Sequence, residues 1–248
     1  MSKKIAAGDK SIVLDVKVGS GAFMKNIKDA KLLATKMVNI GKSLNKNILA
    51  ILTNMNEPLG NNIGNSLEII EAIEILKGKG NTKLKELCIE LATNMIILAN
   101  NVSKKEARLK VIYSINSGKA LNKFKEFIEY QHGNSAIIDN YNLLPLSKNK
   151  IEVKSNISGY INSINTEKIG TLANLLGAGR NTISDTIDYG AGIIMHAKIN
   201  DFVKKGDVIA TLYTSIDNLD NITNMYLESI TIKKRKAKDE KLILGYIK

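Results

Sequence analysis

The chain has no tryptophan, two prolines (Pro58 and Pro145), three arginines, two histidines (His132 and His196) and a single cysteine, Cys88. One thiol excludes an internal disulfide and fits a reducing compartment. One cysteine and two histidines are also too few for a metal cluster built on those ligands. Aromatic residues make up only 5% of the chain, so few rings are available to stack on bases. No run approaches the ~18 apolar residues of a membrane span. Met1-Ser-Lys-Lys leads into Ile-Ala-Ala-Gly-Asp9, too short and too soon charged for a secretory signal. These absences predict a cytoplasmic protein that contacts no membrane.

What is present needs discounting before use. Lys and Arg together number 36 against 24 acidic residues, a formal charge of +12. A strong positive balance is the footprint of a nucleic-acid binder. Lys supplies 33 of those 36, however, and the chain also holds 28 Asn and 36 Ile. All three use AT-rich codons, so genome composition can raise Lys without any polyanion. Arg, the residue suited to bidentate phosphate and base contacts, is nearly absent. The reading is therefore no nucleic-acid partner. With 44% hydrophobic residues over 248 positions the chain is ordinary globular material, long enough for two domains.

Ser11–Val18 is rich in β-branched residues and closes on Gly19-Ser-Gly21, which predicts a strand and a tight turn. Lys28 to about Leu44 carries Leu32, Leu33, Met37, Val38 and Ile40 at helical spacing. Ile48–Leu52 suits a buried parallel strand. Asn54–Gly64 reads as a loop, and Asn65 with Glu68 as a capping box for a helix to about Lys77. Further helices follow over 82–131. This order argues an α/β layer with parallel strands. Beyond Pro145 short β-rich runs take over, at 151–153, 159–164, 192–199, 208–213 and 241–247, with one helix near 169–176. The predicted division is 1–148 and 149–248.

Several features have plain explanations. Gly-x-Gly at 19–21 lies where α/β sheets bind ligands, yet a tight turn accounts for it. Pro58–Glu71 combines loop carbonyls with carboxylates that could hold a hard cation, although Glu68 and Glu71 also complement a helix N-terminus. His132 reads as a helix-end residue, His196 as packing or surface, Cys88 as core, and Lys233–Lys238 as a solvated turn. Ser158-Gly159 with Asp201–Ala210 resembles the barrel-sandwich fold of biotinyl and lipoyl carriers. No Met-Lys-Met or Asp-Lys-Ala stands between those half-motifs, so only the scaffold is similar.

Taken together, Met1–Gly8, Leu14-Asp-Val-Lys-Val-Gly-Ser-Gly-Ala-Phe-Met-Lys25, Pro58-Leu-Gly60 with Gly64-Asn65-x-Leu67-Glu68, Gly177-Ala-Gly-Arg180 and Asp185-x-x-Asp188 with Gly192-Ile193 resemble the pyrimidine-nucleoside phosphorylase family. The resemblance implies an α/β fold, α+β overall. An incomplete parallel-sheet phosphorylase (glycosyltransferase) domain would be followed by a small β-rich, barrel-sandwich-like C-terminal domain. It also implies reversible phosphorolysis of a pyrimidine nucleoside to free base and a pentose 1-phosphate, with phosphate as co-substrate and no organic cofactor.

By the same resemblance Lys3 holds the pyrimidine carbonyl edge, and Phe23 packs beside the base. A potassium ion is held by the carbonyls of Leu59 and Asn62 and by Glu71. Asn62 stands where the family has a small residue, which suits a role for its main-chain carbonyl alone. No residue is assigned as catalytic. Family members begin well before the position of Met1. The preceding part carries a small α domain, its dimer contacts, the glycine-rich phosphate segment and the rest of the pyrimidine clamp. The expectation is a C-terminal portion, inactive without a separately encoded N-terminal half; the alternative is a non-catalytic remnant or interaction fragment. Homodimer formation, a family property, is left open.

Overall fold

In the computed structural model, residues 1–180, 182–217 and 221–248 are described. In chain order the elements are α1 (Ser2–Ala6), β1 (Ser11–Val18), α2 (Ile27–Ser43), β2 (Asn47–Asn54), β3 (Asn62–Gly64), α3 (Asn65–Leu76), α4 (Thr82–Asn100), α5 (Lys104–Asn116) and α6 (Lys119–Tyr130). After two 3-10 turns come β4 (Asn149–Lys154), β5 (Gly159–Ile164), α7 (Thr166–Leu175), β6 (Gly192–Met195), β7 (Phe202–Val203), β8 (Val208–Thr214), α8 (Ile222–Glu228), β9 (Ile230–Lys233) and β10 (Ile243–Ile247). Among the described residues the architecture is mixed α/β, with helices and three sheets.

These elements form two compact units, each discontinuous in sequence. Unit one is Met1–Met55, Thr82–Lys119 and Glu240–Lys248; unit two is Asn56–Asn81 and Ala120–Asp239. The composition change near Pro145 falls inside unit two.

In unit one, β1 and β2 pair in parallel from Ser11↔Asn47 to Val18↔Asn54. Alternation along β1 puts Ile12, Leu14, Val16 and Val18 on one buried face, the period of two that a half-covered strand requires. Against that face lies α2, begun by Asn26, whose side chain accepts from Asp29 N at 3.0 Å. The helix is where the sequence predicts it, but its buried stripe is different. Ala30, Ala34, Val38 and Gly41 face the sheet, while Leu32 and Ile40 are exposed. The cause is close approach: a Cβ on Gly41 would lie 1.8 Å from Ile48 Cδ1, so the small residues face inward. The run at 241–247, read with the C-terminal β-rich segments, becomes β10 and pairs antiparallel with β2. Cys88, expected in the core, is exposed on α4, whose buried positions include Leu87, Ile89 and Glu90.

Unit two is built from the antiparallel sheets β3-β6-β8-β4 and β7-β5-β9. Ile161, Ile193, Met195, Ile209 and Leu212 from the strands pack with Ile169 and Leu172 of α7 and Tyr226 of α8. Full burial of one such aliphatic side chain contributes about 1.5–3 kcal/mol. β6 ends at Met195 rather than 199, because His196–Asn200 turns away in a loop in which Lys198 N donates to Asp201 Oδ2 at 2.8 Å. No described helix is long and apolar enough to cross a membrane.

Candidate functional site

A closely tied polar arrangement in unit two joins the Pro58–Asn62 loop, the short strand and helix that follow it, and the segment after β6. Gly64 lies at φ +131 with Ala191 O and Gly192 packed against it, where a side chain would not fit. That kink makes Gly64, not Asn65, the residue before α3. Glu68 completes half of the expected capping box, accepting from Gly64 N at 3.2 Å, while Asn65 donates instead to Ala178 O.

Leu67, Glu71 and Ile75 share one buried stripe of α3 at four-residue spacing. Glu71 is thus a carboxylate at a position the helix would otherwise give to an apolar side chain, 8% exposed. Burying it is costly unless hydrogen bonds replace its water. Asn61 N donates to Oε1 at 2.7 Å and Asn62 N to Oε2 at 3.3 Å. Gly60 presses on the same group: a Cβ there would lie 2.0 Å from Oε2.

On its other side the loop is fastened to the segment after β6. Lys198 Nζ donates to Pro58 O and, at 2.9 Å, to Gly60 O. Met195 N donates to Asn61 O at 2.8 Å and Ile199 N to Glu57 Oε2 at 3.1 Å. Across β3, Asn62 faces Ile194. Because Asn62 N turns to Glu71, the alternation of an antiparallel ladder puts the Asn62 carbonyl on that same side. Asn62 Nδ2 donates to Leu67 O at 2.8 Å.

Asn62 and Glu71 are thus joined by a hydrogen bond in unit two, and Leu59 lies in the same loop between the two residues whose carbonyls go to Lys198. Main-chain carbonyls and one buried carboxylate are the oxygen set a hard cation takes. The side-chain-free Gly60 keeps the carboxylate accessible to its loop, so the residues fit potassium.

Lys3 and Phe23 belong to unit one. Lys3 is exposed on α1, and Phe23 follows β1 with 94% of its surface exposed. Between them the Gly19-Ser-Gly21 turn spends its amides internally: Gly19 N donates to Met24 O at 3.0 Å and Gly21 N to Met55 O at 2.9 Å. The turn is structural and offers no free amide pair to an anion. Below it Thr53 Oγ1 donates to Asp15 at 2.5 Å, and Lys17 pairs with the same carboxylate.

The family description "Glycosyl transferase family, a/b domain" matches residues 1–121, and "Pyrimidine nucleoside phosphorylase C-terminal domain" matches residues 160–233. A pyrimidine-nucleoside phosphorylase of Staphylococcus epidermidis is 47% identical over 236 residues, 95% of this chain and 54% of the relative. The protein of that name from Staphylococcus aureus is 46% identical over 233 residues, again 54% of its length. The chain belongs to the pyrimidine-nucleoside phosphorylase family. It spans about half the length of the curated relatives it matches.

Within the family's C-terminal stretch, Asp188 accepts from Ser147 Oγ at 3.0 Å and Gly190 N at 2.9 Å. Burial alone would raise its pKa, but hydrogen bonds from Ser215, Gly190 and Ser147 hold it below the ordinary carboxylate value. Asp185 receives Thr182 N at 2.9 Å. Both acids are occupied in shaping turns. His196 shares a 2.8 Å hydrogen bond with Thr211 Oγ1.

Sequence reasoning missed Lys198. Its signal was a lone lysine close after the apolar strand Gly192–Met195, an ammonium that needs acceptors to receive it.

Proposed function

We propose that this chain serves the reversible phosphorolysis of pyrimidine nucleosides. In that reaction a phosphate oxygen bonds to the sugar C1′ as the C1′–N1 bond breaks. The electron pair leaves with the base, producing free pyrimidine and a pentose 1-phosphate. The observation that carries this reading is 46–47% identity over nearly the whole chain to proteins named for that activity.

Lys3 would stabilise negative charge developing on the departing base, since a fixed cation aimed at growing charge lowers the barrier. Phe23 would lie beside the base. The carbonyls of Leu59 and Asn62 with Glu71 would hold potassium, which supplies a fixed positive charge to the loop that carries it. The Gly19 and Gly21 amides are used within the fold, so phosphate needs other donors. The remaining length found in the relatives supplies them in this reading, and the chain alone is inactive. Pyrimidine nucleoside and phosphate are the partners, in the cytoplasm, without nucleic acid, membrane or organic cofactor.

The test is phosphorolysis of uridine and thymidine with phosphate and potassium. It is run on the chain alone and then mixed with the separately expressed remaining segment of the Staphylococcus epidermidis relative. Activity in the mixture alone supports the reading. Activity of the chain by itself overturns the need for a second half. Silence in both, with the chain folded by circular dichroism, favours a non-catalytic remnant.

A further inference from the structure

The Pro58–Asn62 loop is gripped from two sides by opposite charges. The carbonyls of Pro58 and Gly60 receive the Lys198 ammonium, and the next two amides, of Asn61 and Asn62, point at the Glu71 carboxylate. The intervening peptide dipoles therefore lie with their negative ends at the cation and their positive ends at the anion. Hydrogen bonds to charged groups are the strong ones, and here four of them fall on five residues. Glu71 is buried, and its charge is compensated through the loop backbone.

We propose that Lys198 is the positioning residue of this loop. It is a tethered cation that draws the Pro58 and Gly60 carbonyls to one side and so presents the Leu59 and Asn62 carbonyls, with Glu71, to a bound monovalent cation. The second half of this inference rests on the potassium site proposed above; the first half stands on the hydrogen bonds alone. Lys198 itself is held for the task. Its own amide is fixed by Asp201, and the neighbouring Ile199 amide is anchored on Glu57. The side chain thus leaves a rigid turn rather than a mobile one. A neutral side chain at 198 would deprive the Pro58 and Gly60 carbonyls of the ammonium they receive. Arginine keeps both the charge and donors for two carbonyls.

The experiment is amide hydrogen exchange by mass spectrometry on the whole chain, comparing wild type with Lys198→Met, Lys198→Gln and Lys198→Arg. Each is measured in choline chloride and in potassium chloride at equal ionic strength. The segment 56–64 reports the loop and 208–214, in the same unit, is the control. In choline, exchange of 56–64 is expected to quicken about tenfold in the Met and Gln variants, with 208–214 unchanged and the Arg variant close to wild type; local opening is read in this way. In potassium, wild type and Lys198→Arg gain protection at 56–64. The two neutral variants need about tenfold more potassium for the same gain.

Wild-type protection at 56–64 in the neutral variants overturns the proposal. Loosening shared equally by 208–214 in both of them overturns it too, because the effect is then on the whole unit. If wild type gains no potassium-specific protection, the cation site fails, while the choline comparison still decides whether Lys198 holds the loop.

Discussion

Gly60 and Glu71 are in close mutual contact: a Cβ at position 60 would lie 2.0 Å from Oε2 and 2.9 Å from the carboxyl carbon. Gly60→Ala must push the carboxylate off the Asn61 and Asn62 amides or move the loop. The expected loss is about 1–3 kcal/mol, the usual cost of overpacking a buried site. Urea denaturation measures it, and an unchanged midpoint would contradict the contact.

Glu71→Gln keeps the shape and removes the charge. Its amide group must turn the N–H2 towards one of the two backbone donors, so one hydrogen bond is lost inside the fold. About 1–3 kcal/mol is expected, the range for leaving a buried donor unsatisfied. The same variant should lose any stabilisation that potassium gives over choline in thermal melts. Retention of that difference would move the cation elsewhere.

Unit one carries a buried acid of its own. Glu90 accepts from Lys104 Nζ at 2.8 Å, Tyr246 OH at 2.7 Å and Asn94 Nδ2 at 2.9 Å. Burial works to raise its pKa, but these hydrogen bonds and the Lys104 charge outweigh it and hold the value below that of an ordinary glutamate. The folded state therefore binds this proton less readily than the unfolded one. Its stabilisation is complete above the unfolded pKa, about 4.3, and is lost as pH falls through the lower folded value. Glu90→Gln should flatten the acid limb of stability against pH. Equal slopes for variant and wild type would show that the network does not depend on the ionised form.

Two substitutions on α2 separate packing from hydrophobicity. Gly41→Ala drives a methyl into Ile48 and should cost about 1–3 kcal/mol. Leu32→Ala, at an exposed position, should change stability by less than about 0.5 kcal/mol. Denaturant midpoints compare them directly, and the reverse order would refute the assigned inner face.

How far the sequence could be read depended on whether a signal was local. β1, β2 and α2 lie where period and composition put them, within a residue or two. The inner face of α2 was misread because large apolar residues outweigh alanine and glycine in any hydropathy stripe, whereas contact distance to a sheet selects the small ones. Asn65 had the right chemistry for a cap, but the Gly64 kink moved the helix start by one residue. The Pro58–Glu71 stretch suggested a cation from its loop carbonyls and carboxylates, but the choice of Leu59 and Asn62 came through family resemblance, since they offer backbone groups that any residue possesses. Lys198 lies far along the chain from the loop it holds. The pairing of β10 with β2 is likewise a long-range contact that no local pattern announces.

The chain passes between the two units four times, and the strand that completes the first sheet belongs to the segment Glu240–Lys248. During synthesis β2 has only β1 beside it while everything up to Glu240 is translated. Throughout that time one edge of a very apolar strand, Asn47–Asn54, has bare peptide groups that would template pairing with another chain. Contacts between such distant segments also form slowly. Unit one is therefore expected to close only after translation reaches β10, so the nascent polypeptide is most prone to aggregate just before β10 emerges from the ribosome.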